Sequence, residues 1–470
     1  MKKLLPVILL LCVAGAWGSV LLRGLSTPKE YAEYLQNAEN AYGQEYYVET
    51  LEWIRMAAEL SEGSLPYEAE ERKRDSYYKT GNMDSYVNQC KHLIENYPEH
   101  EENYTMLMEY YAQTTKYGSI YKNIDHYVEL WPENDTLLEI QDTYDKMYDY
   151  FNMGYYDVQY ATESLIDMQR TEIDAEVVYE EESQKDAQTE SQEETQKQVT
   201  RRLCRNRGNS VFDHGYCQIV VASDASSCFV QDQDDRWTRV NTANNLLAKN
   251  DDVSFETIGK LSTSQIATAV IDGKCHFINE KMRVSDIEWE AAGTFSEGIN
   301  AVKQNGTWAL VTTENWRNIA EFPYIAVPLN SMGYCVEKGL AVVADDSGYY
   351  IVDTANENQP VSKNRYEELK AFESSQPTTY RSGSLWGFVS KNGEVYLEAQ
   401  YEDAQPYQNG YAAVKKNGLW GYIDKNGKMI VEPQFQEALG VMPDGVAYVK
   451  NEIGTWDYII LYKLYYGNRS

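Results

Sequence analysis

Two short clusters in this chain carry residue types that could do chemistry. Cys275-His276 sets a nucleophile beside a base, and Asp232-Gln233-Asp234-Asp235 offers the alternating carboxylates of a calcium loop. Neighbouring residues of a strand point to opposite faces, so Cys275 and His276 are not expected to share a proton. The acidic cluster lacks the glycine and the distant glutamate of a calcium loop, and aspartate is a normal turn residue. We interpret both clusters as structural.

The rest of the sequence offers no familiar catalytic arrangement. It has no Gly-rich phosphate loop, no G-x-S-x-G elbow and no H-E-x-x-H, and its five histidines are dispersed. The seven cysteines form no C-x-x-C pair. Cys217 and Cys228 could face each other across a hairpin, and their disulfide is left open. We therefore expect a non-catalytic protein without cofactor or metal, with a hydrolase as an alternative.

Length and charge limit the classes of protein and partner. A chain of 470 residues predicts two or three domains. Its formal net charge of -31 makes the surface acidic, and such a surface repels nucleic-acid phosphates. We therefore expect no nucleic-acid partner.

A repeated hairpin pattern dominates the C-terminal half. In 410–428, two Asn-Gly pairs lie about nine residues apart between alternating apolar residues, which predicts strand, turn, strand, turn, strand. Weaker copies recur mostly every 33 to 41 residues, with one longer step at the start. Such a period indicates small units that bury their apolar faces by stacking. The positions equivalent to Trp420 are 227, 275, 308, 349, 386, 420 and 456.

These copies resemble the WG repeat, which is named for its Trp-Gly pair. Residues 411–435 match that pattern almost fully, and the resemblance extends over about 207–465. It implies an all-β array of about seven three-stranded units over 207–470, either a closed, propeller-like ring or an open β-solenoid. The tryptophans are expected to fill the core between neighbouring units. The residues that define the repeat are Trp308, Trp386, Gly387, Trp420, Gly421, Tyr422 and Trp456.

Residues 24–165 carry a helical period of apolar residues. Glycine lies between paired helices at Gly81 and Gly118, and proline follows the second helix at Pro98 and Pro132. This punctuation resembles the tetratricopeptide repeat, a superhelix of helix pairs. The resemblance implies that the concave face binds peptides or proteins, and the alternative is a helical spacer.

Two further segments complete the predicted order. Residues 1–23 hold basic residues and then an uncharged apolar run, which predicts a membrane anchor with its N-terminus in the cytosol; the alternative is a cleaved signal peptide. Residues 166–206 are polar and acidic, which predicts a disordered linker. The predicted fold class is therefore a membrane helix, a tetratricopeptide-like α-solenoid and an all-β array.

The missing chemistry and the two repeat regions favour an interaction scaffold. We expect a membrane-anchored protein whose bulk lies outside the cytosol and binds proteins or peptides. The first alternative is a binder of cell-wall glycans, because tryptophans beside Asn-Gly turns also occur in wall-binding repeats. Those repeats are about half as long and expose their aromatic rings in ligand slots, so the longer period and the third strand predicted here favour the scaffold.

Overall fold

The computed structural model describes residues 28–162, 165–169, 201–205 and 216–467. The chain divides into two compact units between Tyr144 and Asp145. The first is helical and the second is built of β-sheets. The acidic linker core at 180–195 and the predicted anchor at 1–23 both lie outside the described residues.

The described part of the first unit consists of seven helices, and consecutive helices pack against each other. Tyrosines connect helices about one helix pair apart: the Tyr67 hydroxyl donates to Glu102 at 2.5 Å, and the Tyr144 hydroxyl donates to the Ala112 carbonyl at 3.1 Å. The rings fill the interface while the hydroxyls remain hydrogen-bonded, as tyrosine burial requires. The helices are α1 (Pro28–Gly43), α2 (Tyr47–Leu60), α3 (Tyr67–Lys79), α4 (Met83–Asn96), α5 (Glu101–Gln113), α6 (Tyr117–Leu130) and α7 (Asp135–Asp145).

The predicted fold class needs one correction. None of the helices in the described ranges is both long and apolar enough to cross a membrane. The described ranges show a set of helices followed by many small antiparallel sheets, and none of those helices is the membrane helix that we predicted. The helical N-terminal region is present, and its tetratricopeptide character stays a resemblance.

The second unit contains eight small antiparallel sheets, which we number 1 to 8. Sheet 1 is β2 (Asp157–Tyr160), β3 (Leu165–Gln169) and β4 (Arg202–Arg205); sheet 2 is β5 (Gln218–Val221), β6 (Ser227–Gln231), β7 (Trp237–Asn241) and β8 (Leu246–Lys249). Sheet 3 is β9 (Thr257–Ile258), β10 (Ile266–Ile271), β11 (Lys274–Asn279) and β12 (Val284–Trp289); sheet 4 is β13 (Ala291–Ala292), β14 (Ile299–Gln304) and β15 (Thr307–Thr312).

The remaining sheets follow the same order along the chain. Sheet 5 is β16 (Val336–Glu337), β17 (Leu340–Asp345), β18 (Gly348–Asp353) and β19 (Gln359–Pro360); sheet 6 is β20 (Glu368–Leu369), β21 (Thr378–Ser382), β22 (Leu385–Val389) and β23 (Val395–Tyr401). Sheet 7 is β24 (Asp403–Ala404), β25 (Tyr411–Lys416), β26 (Leu419–Asp424) and β27 (Met429–Phe435). Sheet 8 is β28 (Glu437–Ala438), β29 (Val446–Lys450), β30 (Trp456–Leu461) and β1 (Tyr148–Tyr155), and helix α8 (Tyr462–Gly467) follows it.

The two Asn-Gly turns of the best copy differ in type. Asn417 and Gly418 have φ values of 54° and 80°, as the type I′ turn between β25 and β26 requires. At the second pair only Gly427 has a positive φ. There the Asp424 carboxylate accepts the amides of Asn426 and Lys428, both at 2.9 Å, so the side chain shapes that turn.

Eight apolar clusters join each sheet to the next and close the array into a ring. The joint between sheets 8 and 1 packs Trp456 and Tyr448 with Val158 and Ile166. The joint between sheets 1 and 2 packs Leu203 with Ile219 and other apolar side chains. The array is therefore a closed ring of eight sheets, not an open solenoid.

The ring differs from the predicted one in three respects. It has eight sheets instead of about seven, and most have four strands instead of three. Strands β1 to β4 occupy sequence that we assigned to the helical region and the linker. In sheet 2 the residue equivalent to Trp420 is Trp237, at the start of the third strand. Ser227, which we had aligned with Trp420, begins the second strand. This shift removes the long first step of the repeat.

The ring is closed by a strand from the other end of the unit. Strand β1 pairs with β30 as the outermost strand of sheet 8, and its register shifts between Phe151 and Tyr155. Asp457 of β30 is buried beneath this irregular stretch. Its carboxylate accepts the amides of Met153 at 2.7 Å and Gly154 at 2.9 Å, and it also accepts the Tyr150 hydroxyl.

Hydrogen bonding sets the ionisation of Asp457. Burial alone would raise its pKa, but the donors from Gly154, Tyr150 and the Asn451 side chain, together with the Met153 amide, outweigh burial and hold the pKa below its ordinary value. A carboxyl with a lower pKa in the folded state stabilises the fold above its unfolded-state pKa of about 4. That stabilisation is lost as the pH falls through the folded-state pKa.

We expect Asp457→Asn to destabilise the ring by about 2–4 kcal/mol at pH 7, because charged hydrogen bonds to β1 are weakened. The deficit relative to the parent chain should shrink as the pH falls below about 4. Urea unfolding followed by tryptophan fluorescence measures it. The control is Asp353→Asn, whose carboxylate accepts a turn amide of Ala355 and should cost less than about 1 kcal/mol. Equal costs for the two variants would contradict this role of Asp457.

Candidate functional site

The tryptophans of the repeat lie in the joints between sheets. Trp386, Trp420 and Trp456 are 9%, 6% and 5% exposed. Trp420 packs with Ala438 and Val449 of the next sheet, and Trp308 is half-buried. The Lys450 amine lies over the Trp456 ring at 5.6 Å, which covers the edge of the joint. These rings are packed in the core and do not form open aromatic slots.

The glycines after Trp386 and Trp420 are required by the outer strand that packs over them. A Cβ atom on Gly421 would lie 2.3 Å from the Val431 carbonyl oxygen, and one on Gly387 would lie 2.6 Å from the Leu397 carbonyl oxygen. The neighbouring outer strand forms a bulge at this point, and Tyr422 beyond it is fully buried. In sheet 4 only an isolated bridge from Trp308 to Tyr324 replaces the outer strand, so Ala309 fits there.

Polar side chains from many loops meet around the axis of the ring. A cavity of about 390 Å³ is lined by loops from seven of the eight described sheets, and sheet 4 makes no contribution. Most of these loops follow the first, short strand of a sheet, so those strands form the inner side of the ring. The lining residues are Tyr160, Thr162, Ser223, Asp224, Ala225, Lys260, Asn330, Met332, Tyr334, Glu337, Glu373, Ser374, Gln408, Asn409, Val441, Met442 and Pro443.

Lys260 brings an amine to the axis. It follows Gly259, where a Cβ would lie 2.1 Å from the Thr268 hydroxyl, and the buried side chain of Leu261 fixes the chain beyond it. The amine donates to the Ala161 carbonyl of sheet 1 at 2.5 Å and to the Met332 sulfur, next to sheet 5, at 3.2 Å. Burial lowers the pKa of Lys260 to about 8.

Glu373 is the carboxylate that borders most of this space. It accepts the Ser331 amide at 2.8 Å and hydroxyl at 2.6 Å, and the Gln408 side-chain amide at 3.2 Å. Burial raises its pKa against the lowering effect of these donors. Glu373 also lines two adjoining cavities of about 410 and 330 Å³. Three cavities therefore adjoin at Glu373.

Two tyrosines stabilise the wall of the cavity across the ring. The Tyr334 hydroxyl donates to the Ser223 hydroxyl at 2.7 Å and joins sheets 5 and 2. The Tyr160 hydroxyl donates to the Gly440 carbonyl at 2.7 Å and accepts the Tyr448 amide at 3.2 Å, which joins sheets 1 and 8. These hydrogen bonds hold the lining loops in fixed positions.

The clusters singled out in the sequence lie away from the axis. Cys275 is buried in β11, and burial raises its pKa to about 11, so its thiol is not poised as a nucleophile beside His276. Asp232 accepts the amides of Asp234 and Arg236 and forms a turn. Cys217 and Cys228 are free thiols, without the disulfide that was left open. Among the described residues no cluster of three metal-ligating side chains occurs.

The axial residues gave no sequence signal. Lys260, Glu373 and Gln408 come from different repeats, and they meet only because the ring closes. The feature that these residues share in the sequence is their place in the repeat, in the loop after the first strand. Only alignment on that strand would have brought these positions together.

The helical unit has a smaller cavity of its own, about 340 Å³ in volume. Its buried carboxylate, Glu70, accepts the Gln89 side-chain amide at 2.6 Å and the Lys73 amine at 3.2 Å. His92 lies 3.6 Å from the same carboxylate. These groups satisfy one another, so this cluster stabilises the packing of α3 against α4.

The family model of the WG containing repeat matches this chain in three places, at residues 277–308, 386–420 and 420–456. The chain thus contains WG repeats, and its C-terminal region is that of a repeat protein. The matches cover sheets 3, 4, 6, 7 and 8 in part. No curated protein matches the chain.

Several solved structures resemble the chain weakly. One, described as KlHsv2 with loop 6CD replaced by a Gly-Ser linker, is 8% identical with a TM-score of 0.35, over 64% of this chain and 95% of that one. A eukaryotic initiation factor is 10% identical with a TM-score of 0.37, over 64% and 83%. The dihydro-heme d1 dehydrogenase NirN in complex with DHE is 10% identical with a TM-score of 0.34, over 54% and 66%. Likenesses this weak carry no conclusion about function.

We expect Gly421→Ala to destabilise the ring by about 1–3 kcal/mol, because the new methyl group would collide with the Val431 carbonyl. Urea unfolding followed by tryptophan fluorescence measures the loss. The matched control is Ala309→Gly, the equivalent position of sheet 4, which should cost about 1 kcal/mol or less. A Gly421→Ala protein as stable as the parent would show that the outer strand does not require the glycine.

Proposed function

We propose that this protein is a non-catalytic repeat scaffold that binds an extended segment of a protein partner at the axis of its ring. The observation that carries the proposal is the composition of the axial wall. Six of the described sheets supply hydroxyl, amide, carboxylate and amine groups to one cavity, and sheet 8 adds apolar side chains. A few fixed polar groups in a cleft of several hundred Å³ are typical of ligand sites.

The size of the space favours a segment of chain over a folded surface. The axial cavity of about 390 Å³ has the volume of a few side chains, and Glu373 is shared with two further cavities. Adjoining polar cavities of this size suit the successive side chains of an extended peptide. Hydrogen bonds across the wall, such as that from Tyr334 to Ser223, fix the loops before binding, which lowers the entropic cost of association.

The alternatives are supported less well. Wall-glycan binding through the repeats requires open aromatic rings, and Trp386, Trp420 and Trp456 are each less than one-tenth exposed. The hydrolase alternative stays a prediction. A location outside the cytosol, expected from residues 1–23, also stays a prediction.

The test is selection of peptides on the full purified chain from a displayed random library. Affinities of the selected peptides are then measured by fluorescence polarisation. Ser374 lines the cavity, so Ser374→Trp should fill it and weaken binding at least about tenfold. The matched control is Ser384→Trp, on the exposed turn at the other end of β21, which should leave the affinity unchanged.

Thermal unfolding establishes that both variants remain folded. Two results would overturn the proposal: a library that yields no binding peptide, or selected peptides that bind folded Ser374→Trp as tightly as the parent chain.

A further inference from the structure

We propose that the axial cavity binds a carboxylate group through the ammonium of Lys260. The proposal deepens the function given above, and it rests on that function for the choice of cavity. It adds the chemical class of the group that is recognised.

The first observation is the incomplete set of partners around the amine. A lysine ammonium has three hydrogen-bond donors. Two of them reach neutral acceptors, the Ala161 carbonyl and the Met332 sulfur. Lys260 forms no ion pair with any residue in the described ranges. A half-buried charge without a counter-charge is costly, and an anion in the cavity would remove that cost.

The second observation is that two carboxylates of the cavity lining are already hydrogen-bonded. Glu373 accepts the amide and hydroxyl of Ser331, and Asp224 accepts the amide and hydroxyl of Ser226 at 3.0 and 2.7 Å. Both line the same cavity as Lys260, but neither forms an ion pair with it. The counter-charge is therefore left for a ligand to supply.

The charge around the cavity selects among anions. Asp224, Glu337 and Glu373 place three carboxyl groups in the lining, against the one amine of Lys260. A dianion such as phosphate meets twice the repulsion that a monoanion meets from these groups. A single carboxylate gains the ion pair with Lys260 at a smaller cost. The observations thus favour a carboxylate, from a peptide or from a small molecule.

The titration of the site supports this assignment. Burial lowers the pKa of Lys260 to about 8, so a bound carboxylate should raise it again. Burial raises the pKa values of three neighbouring groups, the hydroxyls of Tyr160 and Tyr334 and the thiol of Cys228. Hydrogen bonds from Ser226 lower the pKa of Asp224. Burial raises the pKa of Glu373 above its ordinary value. Glu337 is the remaining carboxyl of the lining.

The experiment measures how fast Lys260 is acetylated by an N-hydroxysuccinimide ester in the full chain, with peptide mass spectrometry as the readout. Only the neutral amine reacts. At pH 7.5, acetate at about 50 mM should slow the labelling of Lys260 at least threefold, because binding raises its pKa. Acetamide, the neutral analogue, should not slow it. Lys274, exposed in the same sheet, is the internal control and should react equally in both solutions.

Inorganic phosphate at the same ionic strength separates a carboxylate site from a general anion site. We expect weaker protection by phosphate than by acetate. Equal labelling of Lys260 in acetate and acetamide would overturn the proposal, and so would phosphate protection equal to or above that of acetate. Acetate protection does not require a peptide, so the carboxylate site can hold while peptide binding fails, and the reverse result is equally distinguishable.

Discussion

The pairing of β1 with β30, secured by Asp457, holds the ends of the β unit together. Sheets 8 and 1 bury apolar faces against each other only in the closed ring, and an open ring would expose both faces to water. The closing strand comes from 148–155, far from its partner at 456–461, so no short turn can hold it. The buried carboxylate of Asp457 holds the closing strand by accepting hydrogen bonds from two of its amides. The axial cavity depends on it, because its wall is shared among seven sheets.

Asp457 occupies the position at which sheets 6 and 7 carry the glycine of the Trp-Gly pair. At Gly387 and Gly421 the outer strand approaches so closely that a Cβ would collide with its backbone. In sheet 8 the outer strand is β1, and its irregular stretch directs two amides at a side chain instead. One site in the repeat thus serves two purposes. Glycine permits close packing, and aspartate secures a strand that is not continuous with its sheet.

The parts of this structure that could be predicted from the sequence are those that depend on residues close together in the chain. The Asn417-Gly418 hairpin is local, and the turn residues and alternating pattern determine it. In the structure Trp308, Trp386, Trp420 and Trp456 all lie in the third strand of their sheets. Strand β1 escaped prediction because its partner lies at the far end of the unit, and β4 because its partner β3 lies on the other side of an acidic stretch. The axial site was invisible because Lys260 and Glu373 belong to separate repeats that meet only in the closed ring.

The central claim is that closure of the ring by β1 creates the axial cavity. Hydrogen–deuterium exchange with peptide resolution tests it most directly, because exchange reports the free energy of local opening. We expect the amides of 148–155 to exchange as slowly as those of 456–461. In Asp457→Asn, which weakens closure, both segments should lose protection together with the axial loop at 370–376. Fast exchange of 148–155 beside a fully protected 456–461 would contradict closure by β1, since β1 would then not be part of the ring.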